Sequence, residues 1–309
     1  MKKKTAVVVF GGVGGKCKKF LSRLDEKDRV IFRELYKKAE NIMGWSGEES
    51  NENKSEDCST EVICREWVVT YICDYMLFQK ALQQGWQVSM MLGYSLGLNT
   101  TLVAAKSISF EDGVKLLLGV SKCVKSAVTG KKRGMGIIVG LCKNDVIQII
   151  KEAKVENQVR IASENASECI VISGYYDEMI KCLEYVKEMG VLKVKDLEVP
   201  FSFHYGIYEK CMDYYMEIVE NMHIEKAEYS IMSAYDQQLL TSPEQLKSEL
   251  RRNVYDSMTW NKCVIKLEQM GDKTFLDIST DSFFRKVTKF ESDEIEFVGY
   301  KKIIPLLRR

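Results

Sequence analysis

The stretch QVSMMLGYSLGLNTTLVAAKSI, residues 87–108, decides the fold class of this chain. Its first part is a continuous apolar run that predicts a buried β-strand, and LGLNTTLVAAKSI (96–108) predicts a helix. Between them, GYSLG (93–97) has the form GxSxG at a strand-to-helix turn, which is the context of a nucleophile elbow. Such a turn exposes the serine, here Ser95, and the first amide after it, here that of Leu96, faces a developing oxyanion. A chance GxSxG in a tight turn between a strand and a helix is the alternative interpretation.

A serine nucleophile needs a base at neutral pH, and the chain contains only two histidines, His204 and His223. His223 lies near a predicted helix end, where a half-exposed structural role is the default. His204 follows a predicted strand and Pro200 and precedes a predicted helix, which is a position typical of functional loops. We therefore predict that His204 is the base, with a packed structural histidine as the alternative.

The glycine-rich segment GGVGGK (11–16) follows an apolar, strand-like run, TAVVVF (5–10). It fails the Walker A spacing because Phe10 stands where the first glycine is required and Cys17 follows the lysine. It fails the dinucleotide pattern GxGxxG because Cys17 occupies the position of the third glycine. These mismatches argue against nucleotide binding. A glycine loop after a strand can instead bring backbone N–H groups close to a substrate.

The composition is that of an ordinary globular protein: 309 residues, 46% apolar and 29% charged, with a formal net charge of +1. This near-neutral charge excludes an obvious electrostatic footprint for nucleic acid. No apolar stretch approaches the roughly 18 residues of a membrane span, and the ten cysteines form no CxxC pair or zinc-ligand cluster. We expect a cytoplasmic protein with buried, reduced cysteines, no metal site, and no association with nucleic acid or membranes.

A composition break at TGKKRG (129–134) opens a segment with its own pattern. Over 134–197 the predicted order is β-α-β-β-α-β, which is the split βαβ pattern of a ferredoxin-like subdomain. We predict a large α/β domain of residues 1–130 and 200–309, into which this small subdomain, residues 131–199, is inserted. Elsewhere the patterns predict helices at 61–85, 110–129, 206–222 and 243–257, strands at 229–234 and 274–279, and a solvated loop at 46–60.

Five segments, in order along the chain, carry a family resemblance. GYSLGLNTTLVAAKSISFEDGVKLL, from residue 93, resembles the pattern GHSLGEYxALVAAGxxSFEDAxxLV. RGMGIIVGL, from residue 133, resembles GxMAAVxGL, and VRIASENASECIVISG, from residue 159, resembles VxIAxxNSPxQxVISG. LEVPFSFHYGIYEKCM, from residue 197, resembles a segment with a catalytic histidine, and LRRNVYDSMTW, from residue 250, resembles LxxQxxxPVxW. Together they resemble the malonyl-CoA:acyl carrier protein transacylase family, which includes the acyltransferase domains of polyketide synthases.

The resemblance implies a large α/β hydrolase-like acyltransferase domain with the ferredoxin-like subdomain beside its cleft. By resemblance, Ser95 is the acyl-accepting nucleophile, His204 is its base, and the N–H groups of Leu96 and Val13 form the oxyanion hole. A main-chain carbonyl at Asn253 is expected to orient the histidine. No bound cofactor is expected. The substrates are expected to be phosphopantetheine thioesters of CoA or acyl carrier protein, and acyl carrier protein is the expected partner.

The residues of the expected substrate pocket are Tyr94, Val120, Asn165, Phe201 and Phe203. Among them, Val120 differs from the family pattern in the way that bears most on the choice of substrate. Twenty-five residues after the serine, malonyl-specific members of the family place an arginine that clamps the free carboxylate. Here that position is Val120, and no Lys or Arg occupies the same helical face at 113, 116, 117, 123, 124 or 127. A buried malonyl carboxylate would lack its partner, so we expect an acyl group without a carboxylate.

This chain also differs from the family pattern at other positions. It has Val13 where the family has glutamine, Tyr94 where it has histidine, Asn253 where it has glutamine, and Ser279-Thr280 where it has Gly-Pro. The expected reaction is a double displacement through an acyl-serine, with transfer to an acyl carrier protein in polyketide biosynthesis. Hydrolysis of the acyl-serine, which would remove acyl groups from carrier proteins, is the first alternative. A catalytically degenerate docking protein is the second, and the retention of both Ser95 and His204 argues against it.

Overall fold

The computed structural model describes residues 4–12, 17–45, 56–127, 131–280, 284–285, 292 and 294–303. The strands are β1 (Lys4–Phe10), β2 (Trp86–Gly93), β3 (Arg133–Val139), β4 (Val159–Ala166), β5 (Cys169–Tyr175), β6 (Lys193–Asp196), β7 (Ile231–Met232), β8 (Leu239–Leu240), β9 (Thr274–Asp277) and β10 (Glu296–Gly299). The first helices are α1 (Cys17–Leu21), α2 (Glu26–Met43), α3 (Glu56–Gln83), α4 (Gly97–Ala104), α5 (Phe110–Ala127), α6 (Lys143–Glu152) and α7 (Tyr176–Glu188). After a 3-10 helix (Gly206–Cys211) come α8 (Asp213–Asn221), α9 (Pro243–Tyr255), α10 (Trp260–Gln269) and α11 (Tyr300–Ile303).

The larger sheet is built around β1, whose apolar run is buried on both faces. Its strand order is β10-β9-β1-β2-β7-β8, and all its pairs are parallel except β7 with β8. Ala6 and Val8 face a core formed with α3 and α5, whereas Val7 and Val9 face a core formed with α10. A central strand covered on both sides is the usual reason for such a continuous apolar run, and the arrangement confirms the predicted α/β fold.

The smaller sheet contains the four strands from β3 to β6, in the order β4-β5-β3-β6, and all of its pairs are antiparallel. Helices α6 and α7 cover one of its faces and form a separate apolar core with it. The chain order β-α-β-β-α-β and this strand order are those of a ferredoxin-like unit. The boundaries 131–199 for the subdomain, and 1–130 with 200–309 for the large domain, stay predictions.

The segment between α9 and α10 joins the two sheets. Met258 pairs with β4, since its N–H donates to the Ala162 carbonyl at 3.0 Å and its carbonyl accepts from Glu164 N–H at 3.0 Å. The Asn261 side chain at the start of α10 adds a hydrogen bond of 3.0 Å to the Glu164 carboxylate. With these contacts, the smaller sheet faces the carboxyl ends of β1 and β2, where Gly11, Gly12 and the GxSxG turn lie.

Several predicted elements have different bounds in the structure. The predicted helix 206–222 is a 3-10 helix followed by α8, and the predicted strand 229–234 shortens to the two residues of β7. The predicted loop 46–60 falls partly on α3, which begins at Glu56, and its residues 46–55 lie outside the described residues. Among the described helices, none is long and apolar enough to cross a bilayer.

The packing of α4 against β1 generates a stability prediction. A Cβ on Gly97 would lie 2.3 Å from the Phe10 carbonyl oxygen, which is backbone and cannot move aside. We expect Gly97→Ala to lower the free energy of unfolding by about 3 kcal/mol, measured by urea denaturation. Gly206→Ala is the matched control, because its Cβ would meet no atom within 4 Å, and its change is expected to stay within about 0.5 kcal/mol. Equal effects of the two substitutions would contradict this account.

Candidate active site

Ser95 lies at a strained turn between β2 and α4, as the GxSxG pattern predicts. Its φ is 54°, in the left-handed region that costs a non-glycine residue free energy. A Cβ on Gly93 would lie 2.5 Å from Leu98 Cα, and one on Gly97 would lie 2.3 Å from the Phe10 oxygen. Both flanking positions therefore require glycine for steric reasons, and the turn projects the serine side chain away from the sheet.

His204 meets Ser95 across 109 positions of sequence. Its Nε2 lies 2.9 Å from Ser95 Oγ, and its Nδ1 lies 3.1 Å from the main-chain carbonyl oxygen of Asp256. Because a carbonyl only accepts, Nδ1 carries the proton and Nε2 is left as the acceptor for the serine hydroxyl. This tautomer is the one that a general base requires.

Burial keeps the His204 imidazole neutral. The residue is 4% exposed, and this desolvation lowers the pKa of the imidazole from 6.5 to about 4, against the opposing effect of the Asp256 carbonyl. At neutral pH the ring is therefore able to accept the Ser95 proton. His223, by contrast, has a side chain that is 85% exposed and lies 3.3 Å from Glu225, far from this arrangement.

The prediction that the Asn253 carbonyl orients the histidine is wrong, because the carbonyl belongs to Asp256. Asn253 lies inside α9, whereas Asp256 follows the helix with an extended backbone, ψ 149°, which turns its carbonyl out of the helix. The Asn253 side chain instead links two other residues: its Nδ2 donates to the Ser95 carbonyl at 3.0 Å, and its Oδ1 accepts from the Tyr235 hydroxyl at 3.0 Å. Sequence reasoning missed Tyr235 and Asp256, and no motif marks a main-chain carbonyl.

Of the two amides predicted to form the oxyanion hole, only that of Leu96 lies among the residues that the structure describes. Leu96 directly precedes α4, and among the described residues its amide has no backbone acceptor. Gly12 lies close to the nucleophile, since a Cβ there would be 3.4 Å from Ser95 Cβ. The loop after β1 thus approaches Ser95, but Val13 itself lies outside the described residues, so its part in the oxyanion hole stays a prediction.

A cavity of about 450 Å³ opens beside Ser95 and His204, between the two sheets. One face of α3 lines it from Ile63 to Asp74, and Met135, Ile137 and Val171 of the smaller sheet line the opposite wall. The charged side chains among its described lining residues are Glu66, Asp74, Glu198 and Lys195. Three carboxylates against one ammonium make this lining acidic.

Only two of the five predicted pocket residues line this cavity, and they are Tyr94 and Phe203. Tyr94 packs edge-on against Trp260 at 5.3 Å, and burial raises its pKa to about 12, so its hydroxyl keeps its proton at neutral pH. Phe203 packs against Trp67 with ring centroids 5.6 Å apart.

The assignment of Val120, Asn165 and Phe201 to the pocket lining is corrected by the structure. Val120 is buried in the apolar core of the larger unit. Asn165 is fully buried on β4, where its Oδ1 accepts from Ser163 Oγ at 2.6 Å. Phe201 lies behind the wall, against the rings of Trp67 and Phe203.

Residues 73–309, well over half of the chain, match the family described as acyl transferase domain. The chain belongs to this acyl transferase family. A malonyl CoA-acyl carrier protein transacylase from Haemophilus influenzae is 22% identical over 293 residues, which cover 93% of this chain and 92% of that protein. One from Synechocystis is 24% identical over 255 residues, with 82% and 83% covered.

Solved structures share the fold over nearly the whole chain. The malonyl CoA-acyl carrier protein transacylase from Coxiella burnetii superposes with a TM-score of 0.82 at 21% identity, covering 97% of this chain and 96% of that one. A malonyl-transacylase solved in complex with a type II polyketide synthase acyl-carrier protein gives a TM-score of 0.80 at 18% identity, covering 96% and 95%. In the described part of this acyltransferase-family chain, no group of three or more His, Cys, Asp or Glu side chains is arranged to hold a metal ion.

The burial of His204 generates a pH prediction that needs no substrate. We expect the imidazole resonance of His204 to titrate near pH 4 in an NMR titration, because the neutral ring is favoured by burial. His223→Gln removes the other imidazole and so assigns the signal. A midpoint near the unperturbed value of about 6.5 would contradict the buried, neutral base.

Proposed function

We propose that this protein transfers acyl groups between phosphopantetheine thioesters through an acyl-enzyme intermediate on Ser95. The observation that carries the proposal is the 2.9 Å contact between Ser95 Oγ and the unprotonated Nε2 of His204, at an elbow in a member of the acyl transferase family. A docking protein without catalysis has no need of this contact, nor of the left-handed backbone at both residues, φ 54° and 56°.

The reaction proceeds in two displacements. In the first, Ser95 Oγ attacks the thioester carbonyl carbon while its proton moves to His204 Nε2, and the amide of Leu96 donates to the oxyanion. Collapse of this intermediate breaks the C–S bond, and the departing thiolate takes the proton from Nε2. In the second displacement, the thiol of the acceptor gives its proton to Nε2 and attacks the acyl-serine carbonyl carbon. The ester C–Oγ bond then breaks, and the departing Ser95 Oγ takes the proton back from Nε2.

The partner in this proposal is an acyl carrier protein, which presents the acyl group or the accepting thiol on its phosphopantetheine arm. The support is the family, together with the fold shared with a malonyl-transacylase that was solved in complex with such a carrier protein. That carrier protein belongs to a type II polyketide synthase, which agrees with a role in polyketide biosynthesis. The protein itself needs no cofactor for this chemistry, because both proton transfers use His204.

The acyl group in this proposal carries no carboxylate. The acidic lining of the cavity supports this, because the buried Asp74 and the exposed Glu66 and Glu198 outnumber its one ammonium group, and like charges disfavour a malonyl carboxylate. Val120 supports it as well, since it stands where malonyl-specific relatives have an arginine and is packed in an apolar core. Lys195, the cation in the described lining, lies on the exposed edge of β6.

Acyl-enzyme formation tests the proposal directly. We expect incubation with acetyl-CoA to add one acetyl group to Ser95, detected by intact mass and peptide mapping, and Ser95→Ala to remain unmodified. Malonyl-CoA is expected to give at least tenfold less adduct, because its carboxylate would lack a cation, and an unpaired buried charge costs more than the roughly 1.4 kcal/mol that a tenfold ratio requires. A malonyl adduct as abundant as the acetyl adduct would overturn the substrate assignment. Absence of any adduct with acetyl, malonyl and longer acyl donors would overturn the proposed function.

The fate of the acyl-serine separates transfer from hydrolysis. We expect the adduct to persist in buffer and to disappear when a carrier protein with a free phosphopantetheine thiol is added, with the acyl group appearing on the carrier. Rapid loss to water without a carrier would instead identify the protein as an acyl hydrolase. The mass of the released acid and of the carrier protein distinguishes the two outcomes.

A further inference from the structure

A buried carboxylate, Glu249, lies behind the candidate active site and has no part in the two displacements. It is on α9, and the residue is 3% exposed. Its Oε2 accepts from Ser233 Oγ at 2.8 Å, and its Oε1 accepts from the Ala234 N–H at 2.9 Å. Both oxygens are thus bonded to the loop 233–238 that connects β7 and β8.

The loop held by Glu249 leads back to the nucleophile. Ser233 Oγ also accepts the N–H groups of Tyr235 and Asp236, at 3.1 and 3.3 Å, which closes the turn that carries Tyr235. The Tyr235 hydroxyl donates to Asn253 Oδ1 and so orients the amide, whose Nδ2 donates to the Ser95 carbonyl. A series of hydrogen bonds, linked through the covalent frame of Tyr235, therefore runs from Glu249 to the strained backbone of Ser95.

We propose that Glu249 and Tyr235 are positioning residues for the Ser95 nucleophile, and that Glu249 acts in its carboxylate form. The inference rests on the proposed function of Ser95. The left-handed backbone of Ser95 persists only where the surrounding structure stabilises it. The Asn253 amide contributes to this by donating a hydrogen bond to the main-chain carbonyl of Ser95. A small displacement of a nucleophile from its base slows the reaction without affecting substrate binding.

The count of hydrogen-bond acceptors explains why the carboxylate form is needed. Ser233 Oγ already accepts two N–H groups, so its own proton must go to an acceptor, and the Glu249 carboxylate supplies one. A protonated Glu249 carries an O–H that needs an acceptor, whereas the groups that its two oxygens face, the Ser233 hydroxyl and the Ala234 N–H, are donors. The turn then has to give up a hydrogen bond, and Tyr235 moves with it.

The groups around Glu249 set the pH range of this effect. Burial raises the Glu249 pKa to about 7, while the bonds from Ser233 and Ala234 and the charge of Arg252 act the other way. Asp236, on the loop, also raises the pKa. The remaining neighbours that sense its charge are the Tyr235 hydroxyl and the Cys263 thiol of α10, and burial raises the pKa of both, so they stay neutral near pH 7. Glu249 thus changes charge in a range where His204, with its pKa of about 4, does not.

The test measures single-turnover acylation of Ser95 by acetyl-CoA between pH 5 and 9 in the full chain. In the wild type we expect the maximal rate to fall as the pH drops through about 7, as Glu249 takes up a proton. Glu249→Gln is expected to lower the maximal rate roughly tenfold at pH 8, to leave the half-saturating acetyl-CoA concentration unchanged, and to abolish the inflection near 7. Glu217→Gln, an exposed site on α8, is the matched control and should behave as the wild type.

Tyr235→Phe separates the relay from general packing. It removes only the hydroxyl and leaves the hydrogen bonds of Glu249 in place, yet we expect the same loss of rate and of the inflection. The double variant should be no slower than the slower single variant, because both interrupt one series of bonds. A Tyr235→Phe variant that keeps the wild-type rate and inflection would overturn the inference.

Unfolding measurements distinguish positioning from lost stability. Because burial raises the folded-state pKa of Glu249, its contribution to stability is greatest below about pH 4.5 and is lost as the pH rises to about 7. We expect Glu249→Gln to be no less stable than the wild type at pH 8, although it is slower. A loss of rate that follows a loss of folded protein would overturn the inference. An unacylated wild type would overturn the proposed function itself, which is a separate outcome.

Discussion

The last turn of α9 is the constraint on which the arrangement of the candidate active site depends. Asn253 Nδ2 donates to the Ser95 carbonyl, the Val254 carbonyl accepts from His204 N–H, and the carbonyl of Asp256, the residue directly after the helix, accepts from His204 Nδ1–H. The same turn therefore holds the main chain of the nucleophile and both the main chain and the ring of the base. Since Ser95 and His204 both have left-handed backbones, this turn stabilises two strained residues at the distance that proton transfer requires.

A main-chain carbonyl behind the histidine has consequences for the chemistry. A carboxylate at Nδ1 would raise the pKa of the ring, whereas the Asp256 carbonyl opposes the effect of burial only in part, and the pKa falls to about 4. The resting base is therefore neutral over the whole physiological range. His204 Nε2 gains and loses a proton within each displacement, which suits acyl transfer between two thiols of similar acidity.

Local sequence patterns predicted the elements that place the nucleophile. The apolar runs predicted β1 and β2, the two glycines of GYSLG follow from steric contacts with Leu98 and Phe10, and Ser242-Pro243 marks the start of α9 as its N-cap and first residue. The β-α-β-β-α-β order also follows from hydrophobic periodicity. Apart from the contact of Gly97 with Phe10 of β1, each of these features is decided by contacts within a few residues or by burial along a single element.

The parts that sequence reasoning missed depend on contacts between distant segments. Which carbonyl, that of Asp256 or that of Asn253, accepts from His204 depends on where the main chain leaves α9. The hydrogen bond of Tyr235 to Asn253 depends on the loop between the two-residue strands β7 and β8. Counting from Ser95 predicts Val120 in the pocket, whereas the packing of α5 buries its side chain in the core of the larger unit. The acidic character of the cavity comes from Glu66 and Asp74 on α3 and from Glu198 after β6, which no motif connects.

The most direct measurement of the central claim is the labelling rate of Ser95 by a small fluorophosphonate, which reports the activated hydroxyl without any assumption about the acyl substrate. The account predicts stoichiometric labelling at Ser95 at neutral pH and at least a hundredfold slower labelling in His204→Gln, a loss typical of removing a general base. Equal labelling rates in the two proteins, or modification at another serine, would contradict the claim that α9 holds Ser95 and His204 as a nucleophile and its base.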